Sequence, residues 1–237
     1  MAKYSLDTKR HTGAHVLAAA VFHMFPEAQF GVGPTTDTGF YYDMLLPRSL
    51  TPEDLEALEA EMKRLIKANL PVERSEMKID EAIEYFQKAG QSLKVELLTD
   101  LKTHGTTKAS EIYGDEQSDH QEVETVSLYR IGDFIDLCRG PHVESTGNLD
   151  PQAITLDTVS AAYFRGDQSR ESLQRVYGIQ CEDKKALKSF LHTREEAKKR
   201  DHRKLGKELG LFTFSDLVGP GLPLYTAKGT TLKRNIY

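Results

Sequence analysis

Helical patterns fill the front of this 237-residue chain and strand-like runs fill the back, and that segregation limits the fold more than any single motif. From Thr8 to about Met24, His11, His15, Ala18 and Phe22 recur at spacings of three and four, which puts them on one helix face, with Asp7 as cap and Pro26 as stop. Gly31-Val32-Gly33-Pro34 reads as a turn and Gly39-Phe40-Tyr41-Tyr42-Asp43 as a strand. Thr51-Pro52-Glu53-Asp54 opens a second helix, with a threonine cap, proline at the first helical position and an acid three residues after the cap. Leu55, Leu58, Met62, Leu65 and Ile66 give it an apolar stripe. Pro71 to Ile79 reads as a strand, and Asp80 and Ser92 as caps of shorter helices separated by Gly90. A polar loop is expected from Thr103 to Gln121. Strand-like runs follow at Glu122–Ile131, Phe134–Leu137, Ile154–Phe164 and Leu173–Gln180. Grouped rather than alternating elements predict an α+β fold, an antiparallel sheet with packed helices, followed by a long helix.

The clearest chemical signal is a pair of short motifs. In His11-Thr12-Gly13-Ala14-His15 the two imidazoles stand four residues apart, so a helix projects them from one face. In Cys138-Arg139-Gly140-Pro141-His142 a Gly-Pro turn can fold Cys138 back towards His142. Three histidines and a cysteine suit a tetrahedral zinc ion, and suit equally a polar cage around a nucleophilic water. A zinc protease is disfavoured, because Thr12 stands where the HExxH pattern needs a glutamate. Asp136 lies two residues before Cys138, on the same side of a strand. Lys94 could supply charge to a developing oxyanion, although by pattern a helix lysine is more often solvated. Tyr42 could bond a ligand, although a strand tyrosine is more often core.

Composition bounds these readings. With 39% hydrophobic residues the chain can bury one large domain, or a domain with an appendage. No apolar run approaches the ~20 residues of a membrane span, and Met1 to Asp7 lack the core of a secretory signal. Two cysteines, Cys138 and Cys181, are too few for a disulfide framework, which favours a reducing cytoplasm. The formal net charge is −5, yet Asp183 to Glu208 holds ten Lys or Arg against five Asp or Glu. A basic segment in an acidic protein is the form of an RNA footprint, or of a solvated helix. Its apolar residues are sparse, so the helix expected from Asp183 to Leu209, ended by Gly210, should bridge domains or lie against a partner. The chain stops at Lys233–Tyr237 without a C-cap, like the beginning of something cut off.

In several ordered stretches the sequence resembles the bacterial-type threonyl-tRNA synthetases. They are Arg10 to His15, Gly39 to Asp43, Tyr129 to Val143, Tyr163 to Asp167, Leu173 to Gly178 and Lys198 to Gly206. The first and fourth also resemble the alanyl-tRNA editing family. The resemblance implies an editing domain over residues 1–180, a basic linker helix over 181–210 and the start of a truncated class II catalytic domain over 211–237, without the family's ubiquitin-like first domain. It implies hydrolysis of the ester of tRNA(Thr) misacylated with serine, with His11, His15, Lys94, Asp136, Cys138 and His142 catalytic and Tyr42 lining the substrate. Lys198, Lys199, Arg200, Arg203 and Lys204 are the implied tRNA contacts. Editing is expected to need no cofactor. Alanyl relatives use the His11, His15, Cys138, His142 set for zinc, and here a metal-free site is the favoured expectation. ATP with magnesium and a structural zinc belong to the catalytic domain of the parent ligase, which is expected to be a cytoplasmic homodimer, with this stretch able to stand as a monomer. The alternatives are a freestanding trans-editing factor, a non-catalytic tRNA-binding module, and an unrelated zinc-binding structural protein.

Overall fold

The computed structural model describes residues 3–107, 123–215, 217–219 and 221–236. The chain divides into two compact units, Met1–Leu187 and Lys188–Tyr237.

The first unit opens with helix α1 (Leu6–Met24). Ser5, not Asp7, caps it: the Ser5 backbone is extended and its side chain accepts from the Thr8 amide, which leaves Asp7 inside the first turn. Short strands β1 (Gln29–Phe30) and β2 (Thr35–Thr36) lead to β3 (Gly39–Leu45). Helix α2 (Pro52–Lys67) begins with the expected capping box, Thr51 and Asp54 bonding each other's backbone. Strand β4 (Val72–Lys78) runs directly into α3 (Ile79–Lys88), followed by α4 (Ser92–His104). Neither helix takes the cap expected from sequence. The Ile79 amide is spent on the Glu124 carbonyl as β4 ends, so Lys78 occupies the cap position and Asp80 falls in the first turn. Gln91 precedes α4, and its side chain instead holds the Phe30 amide and the Ala28 carbonyl. The expected loop from Thr103 lies mostly outside the described residues; Thr103 and His104 finish α4, and Gly105, at φ 69°, terminates it.

Strands β5 (Thr125–Ile131), β6 (Phe134–Leu137), β7 (Ile154–Tyr163) and β8 (Ser172–Gln180) complete the unit. They form two antiparallel sheets rather than one. The first has the order β1-β3-β8-β7 with β2 on β3, and the second the order β4-β5-β6. α1 is apolar on nearly every side, and a helix of that kind must be enclosed. Ala14 and Val16 through Val21 have no exposed surface, packed in one cluster with Phe40, Tyr42 and Met44 of β3, Leu58, Met62 and Leu65 of α2, and Ile131 and Phe134. Each large aliphatic side chain so buried contributes about 1.5–3 kcal/mol. α1 approaches the sheet this closely because Gly13 has no side chain: a Cβ there would lie 2.3 Å from Gln180 Oε1 and 2.7 Å from Phe40 Cε1.

α4 is held on two sides. Leu98 and Leu101 pack with Ile79, Phe86, Val126 and Leu128, while Leu93 and Leu97 pack with Ala162, Phe164 and Leu173 of the β7–β8 hairpin.

The unit boundary falls inside helix α5 (Lys184–Lys199). The single helix expected to Leu209 is broken at Arg200-Asp201, where the Asp201 side chain accepts from the Arg203 amide and starts α6 (His202–Glu208). Gly210 follows at φ 59°. β9 (Phe212–Thr213) pairs antiparallel with β10 (Leu224–Tyr225), and α7 (Ala227–Ile236) ends the described chain. Among the described residues no helix is long and apolar enough to cross a membrane.

Candidate active site

Helix α1, strands β3 and β6, helix α4 and the loop after β6 converge on one cleft of about 540 Å³. His11, His15, Tyr42, Lys94, Asp136 and Cys138 line it, with an apolar flank that includes Val32, Pro34, Leu97 and Leu101.

The i, i+4 spacing on α1 delivers what it promises, with the His11 and His15 rings 5.2 Å apart. The second motif arrives from the opposite side. Gly140, at φ 74°, turns the chain, and only glycine fits there, because a Cβ would lie 2.3 Å from the Tyr129 hydroxyl. Cys138 Sγ thereby sits 3.3 Å from His11 Nε2 and 3.2 Å from His142 Nε2. The His142 ring packs 4.3 Å from His11, 4.4 Å from His15 and 4.4 Å from Tyr129.

Behind the imidazoles lies a buried charged group. Asp136, 1% exposed, accepts from Tyr42, faces Lys94 Nζ at 2.5 Å and lies 3.2 Å from His15 Nδ1. Lys94 is 3% exposed, not the solvated helix lysine its pattern suggests. Its ammonium also donates to the Gly31 carbonyl at 2.7 Å and to the Tyr42 hydroxyl at 3.3 Å.

Burial sets the protonation of the cluster. It lowers His11, against the Asp136 and Asp7 charges and the Pro141 carbonyl, and it lowers His15 to about 4 and His142 to about 2. It pushes the Cys138 thiol up to about 11. Burial alone would raise Asp136, but the Lys94 and His15 charges and the bonds from Lys94 and Tyr42 outweigh it, and the carboxyl titrates below its usual range. Burial next to Asp136 raises Tyr42 well above an ordinary phenol. At neutral pH the cluster therefore holds three neutral imidazoles and a thiol over the Asp136 carboxylate.

One ligand atom from each of His11, His15, Cys138 and His142 lies within 4.8 Å of the others, so the group could hold a metal ion. The donor set is that of a tetrahedral zinc site.

Residues 126–177, from β5 to β8, match the family described as the threonyl and alanyl tRNA synthetase second additional domain. Over those residues the chain is similar to that synthetase domain. The similarity extends beyond it: the chain is 46% identical to threonine--tRNA ligase of Clostridioides difficile over 99% of its own length and 33% of the relative. It is 48% identical to the Gloeobacter violaceus threonine--tRNA ligase over 94% of itself and 33% of the relative. Against the enzyme of Legionella pneumophila the figures are 46%, 98% and 33%. The chain thus spans about a third of the length of the curated relatives it matches.

The basic candidates stand apart from the cleft in sequence. Lys198, Lys199, Arg200, Arg203 and Lys204 are all exposed on α5, α6 and the break between them. Lys199 faces Glu196 at 2.9 Å and Arg203 faces Asp201 at 2.7 Å. Sequence reasoning overlooked three contributors to the site. The Thr12 hydroxyl lies 3.2 Å from His142 Nδ1, the Gly31 carbonyl holds Lys94, and the Tyr129 ring backs His142. Thr12 was visible inside the first motif as a hydroxyl beside a histidine. A backbone carbonyl leaves no trace in side-chain pattern.

Proposed function

We propose that this chain is the editing region of a threonyl-tRNA synthetase and hydrolyses the ester of tRNA(Thr) wrongly charged with serine. The observation that carries this is the cleft itself: three neutral imidazoles and a thiol packed over the Lys94–Asp136–Tyr42 group, in a chain homologous to threonine--tRNA ligases. Serine differs from threonine by one methyl group, and a pocket gains only about 1–3 kcal/mol from such a difference. A second site that admits serine and destroys the product supplies the remaining selectivity.

The base is an imidazole, and the protonation order favours His11. His15 at about 4 and His142 at about 2 are too weakly basic to draw a proton from water efficiently near neutral pH, whereas His11 is less buried and lowered less. His15, its Nδ1 against Asp136, positions the water, and Cys138 and His142 close the other side of the cage. Lys94 acts through its charge and stabilises the oxyanion or the leaving ribose oxygen across the cleft. Tyr42 holds Asp136 in place for that role. A zinc ion held by three of His11, His15, Cys138 and His142 would leave its fourth position to a water and lower the pKa of that water, whereas all four ligands together would close the site. The exposed cations from Lys198 to Lys204 take the tRNA backbone, and the ligase activity, ATP and the dimer interface belong to the parent enzyme of the cytoplasm.

The test is release of serine from seryl-tRNA(Thr), with threonyl-tRNA(Thr) in parallel. Selective loss of serine, abolished by His11→Ala with tRNA affinity nearly intact, is the expected result. Retained tRNA binding with neither ester hydrolysed would make the chain a binding module instead, and hydrolysis at the wild-type rate by His11→Ala would remove His11 from the role of base.

A further inference from the structure

We propose that Thr12 is a positioning residue that sets the tautomer of His142, holding the proton on Nδ1 so that the Nε2 lone pair faces Cys138. The consequence for catalysis rests on the editing reading above, whereas the tautomer itself does not.

The inference follows from counting protons around one oxygen. Thr12 is fully buried, and its Oγ1 has three neighbours: the Thr8 carbonyl at 3.0 Å, the Val143 amide at 3.1 Å and His142 Nδ1 at 3.2 Å. A hydroxyl offers one proton and two lone pairs. The Val143 N–H can only donate, so it takes one lone pair. The Thr8 carbonyl can only accept, so its contact is a hydrogen bond only if it takes the proton, and all three contacts are satisfied together in that arrangement alone. His142 Nδ1 meets the remaining lone pair, and the contact is a hydrogen bond only if Nδ1 carries hydrogen. A neutral imidazole has one N–H, so Nε2 is left bare.

A structural role for Thr12 accounts for only two of these contacts. Threonine on a helix commonly bonds the carbonyl one turn back, and the bond from Val143 ties the loop to α1. The third contact falls on a ring that His11, His15 and Tyr129 pack against, with its far nitrogen 3.2 Å from Cys138 Sγ. Turning the ring over would lose both ends at once.

The bare Nε2 gives the single thiol proton of Cys138 an acceptor. That proton then need not cap Nε2 of His11, which lies 3.3 Å from the same sulfur. Thr12 thereby acts through His142 and Cys138 to leave His11 open as a base.

The experiment uses the full chain, chelator-treated, labelled with 15N-histidine and studied at pH 8 by long-range proton–nitrogen correlation, with the His142 pattern assigned by its loss in His142→Gln. Wild type and Thr12→Ser should show the Nδ1–H pattern for His142, and Thr12→Val should lose it. Serine release should drop about 10–100-fold in kcat for Thr12→Val with little change in KM, and Thr12→Ser should restore it. An Nε2–H pattern for His142 in the wild-type chain overturns the proposal even if Thr12→Val does not fold, as does an unchanged pattern in folded Thr12→Val. If the tautomer follows Thr12 but the wild-type chain releases no serine, the tautomer assignment stands and the editing reading falls.

Discussion

His15 shows how one buried residue ties the chemistry of the cleft to the stability of the fold. It is 4% exposed, and its pKa is lowered to about 4, whereas the unfolded chain titrates it near 6.5. Below pH 6.5 the unfolded state therefore binds a proton that the folded state refuses, and stability falls as the pH drops towards 4. Between pH 6.5 and 5 this one group should cost on the order of 2 kcal/mol, and His142 adds loss of the same sign. Urea unfolding at pH 7.5 and pH 5 checks this; a His15→Gln chain should show a shallower decline. Lys94 makes a second residue-scale case. It is the buried partner of a buried carboxylate, so Lys94→Met leaves Asp136 with its charge uncompensated, a loss of about 3–5 kcal/mol. Adding Asp136→Asn removes that charge and should recover most of the loss in the same unfolding assay. Gly13→Ala should cost about 1–3 kcal/mol, because its methyl meets Gln180 and Phe40 and must push α1 off the sheet. A thermal melt reads that directly, and a melt at the wild-type temperature would mean that α1 has room it does not show.

Among the elements, α4 carries the lysine of the cleft, and the β7–β8 hairpin holds α4. Arg165 sits in the left-handed region at φ 57°, a conformation that a non-glycine residue adopts at a cost of about 1–3 kcal/mol. Its guanidinium, 8% exposed, pairs with Asp100, and Arg170 grips Glu96 with two bonds of 2.7 Å. Both acids are on α4, two and six residues beyond Lys94. Arg165→Met should therefore loosen α4 before it affects α1. Faster hydrogen exchange over Leu93–Leu101, with exchange over Val16–Val21 unchanged, is the expected outcome; uniform change across both helices would mean that the hairpin serves global stability alone.

For the whole molecule, the division into units separates the two kinds of residue: the exposed cations from Lys198 to Lys204 belong to the second unit and every cleft residue to the first. Binding of tRNA should be salt-dependent. Changing Lys198, Lys199, Arg200, Arg203 and Lys204 to glutamine should weaken it and flatten the dependence by roughly 0.7–0.9 for each phosphate that is no longer neutralised. Serine release at saturating tRNA should stay unchanged, and a fall in that rate would place these cations in the chemistry rather than in binding. The α+β class, most element boundaries, the capping box at Thr51 and the two motifs were legible in sequence, because periodicity, turn residues and i, i+4 spacing are local properties. The caps of α1, α3 and α4 were not, since which polar residue caps a helix depends on the path of the chain before it. Nor was the break at Asp201, where one aspartate could pair along a continuing helix or start a new one. By itself, then, the sequence determined which chemical groups the chain owns and which helix face presents His11 and His15. Only the tertiary structure decided that Lys94 is buried against Asp136, that Cys138 meets His11 across 127 residues, and that Thr12 touches His142, because desolvation and long-range contact exist only once the chain has closed on itself.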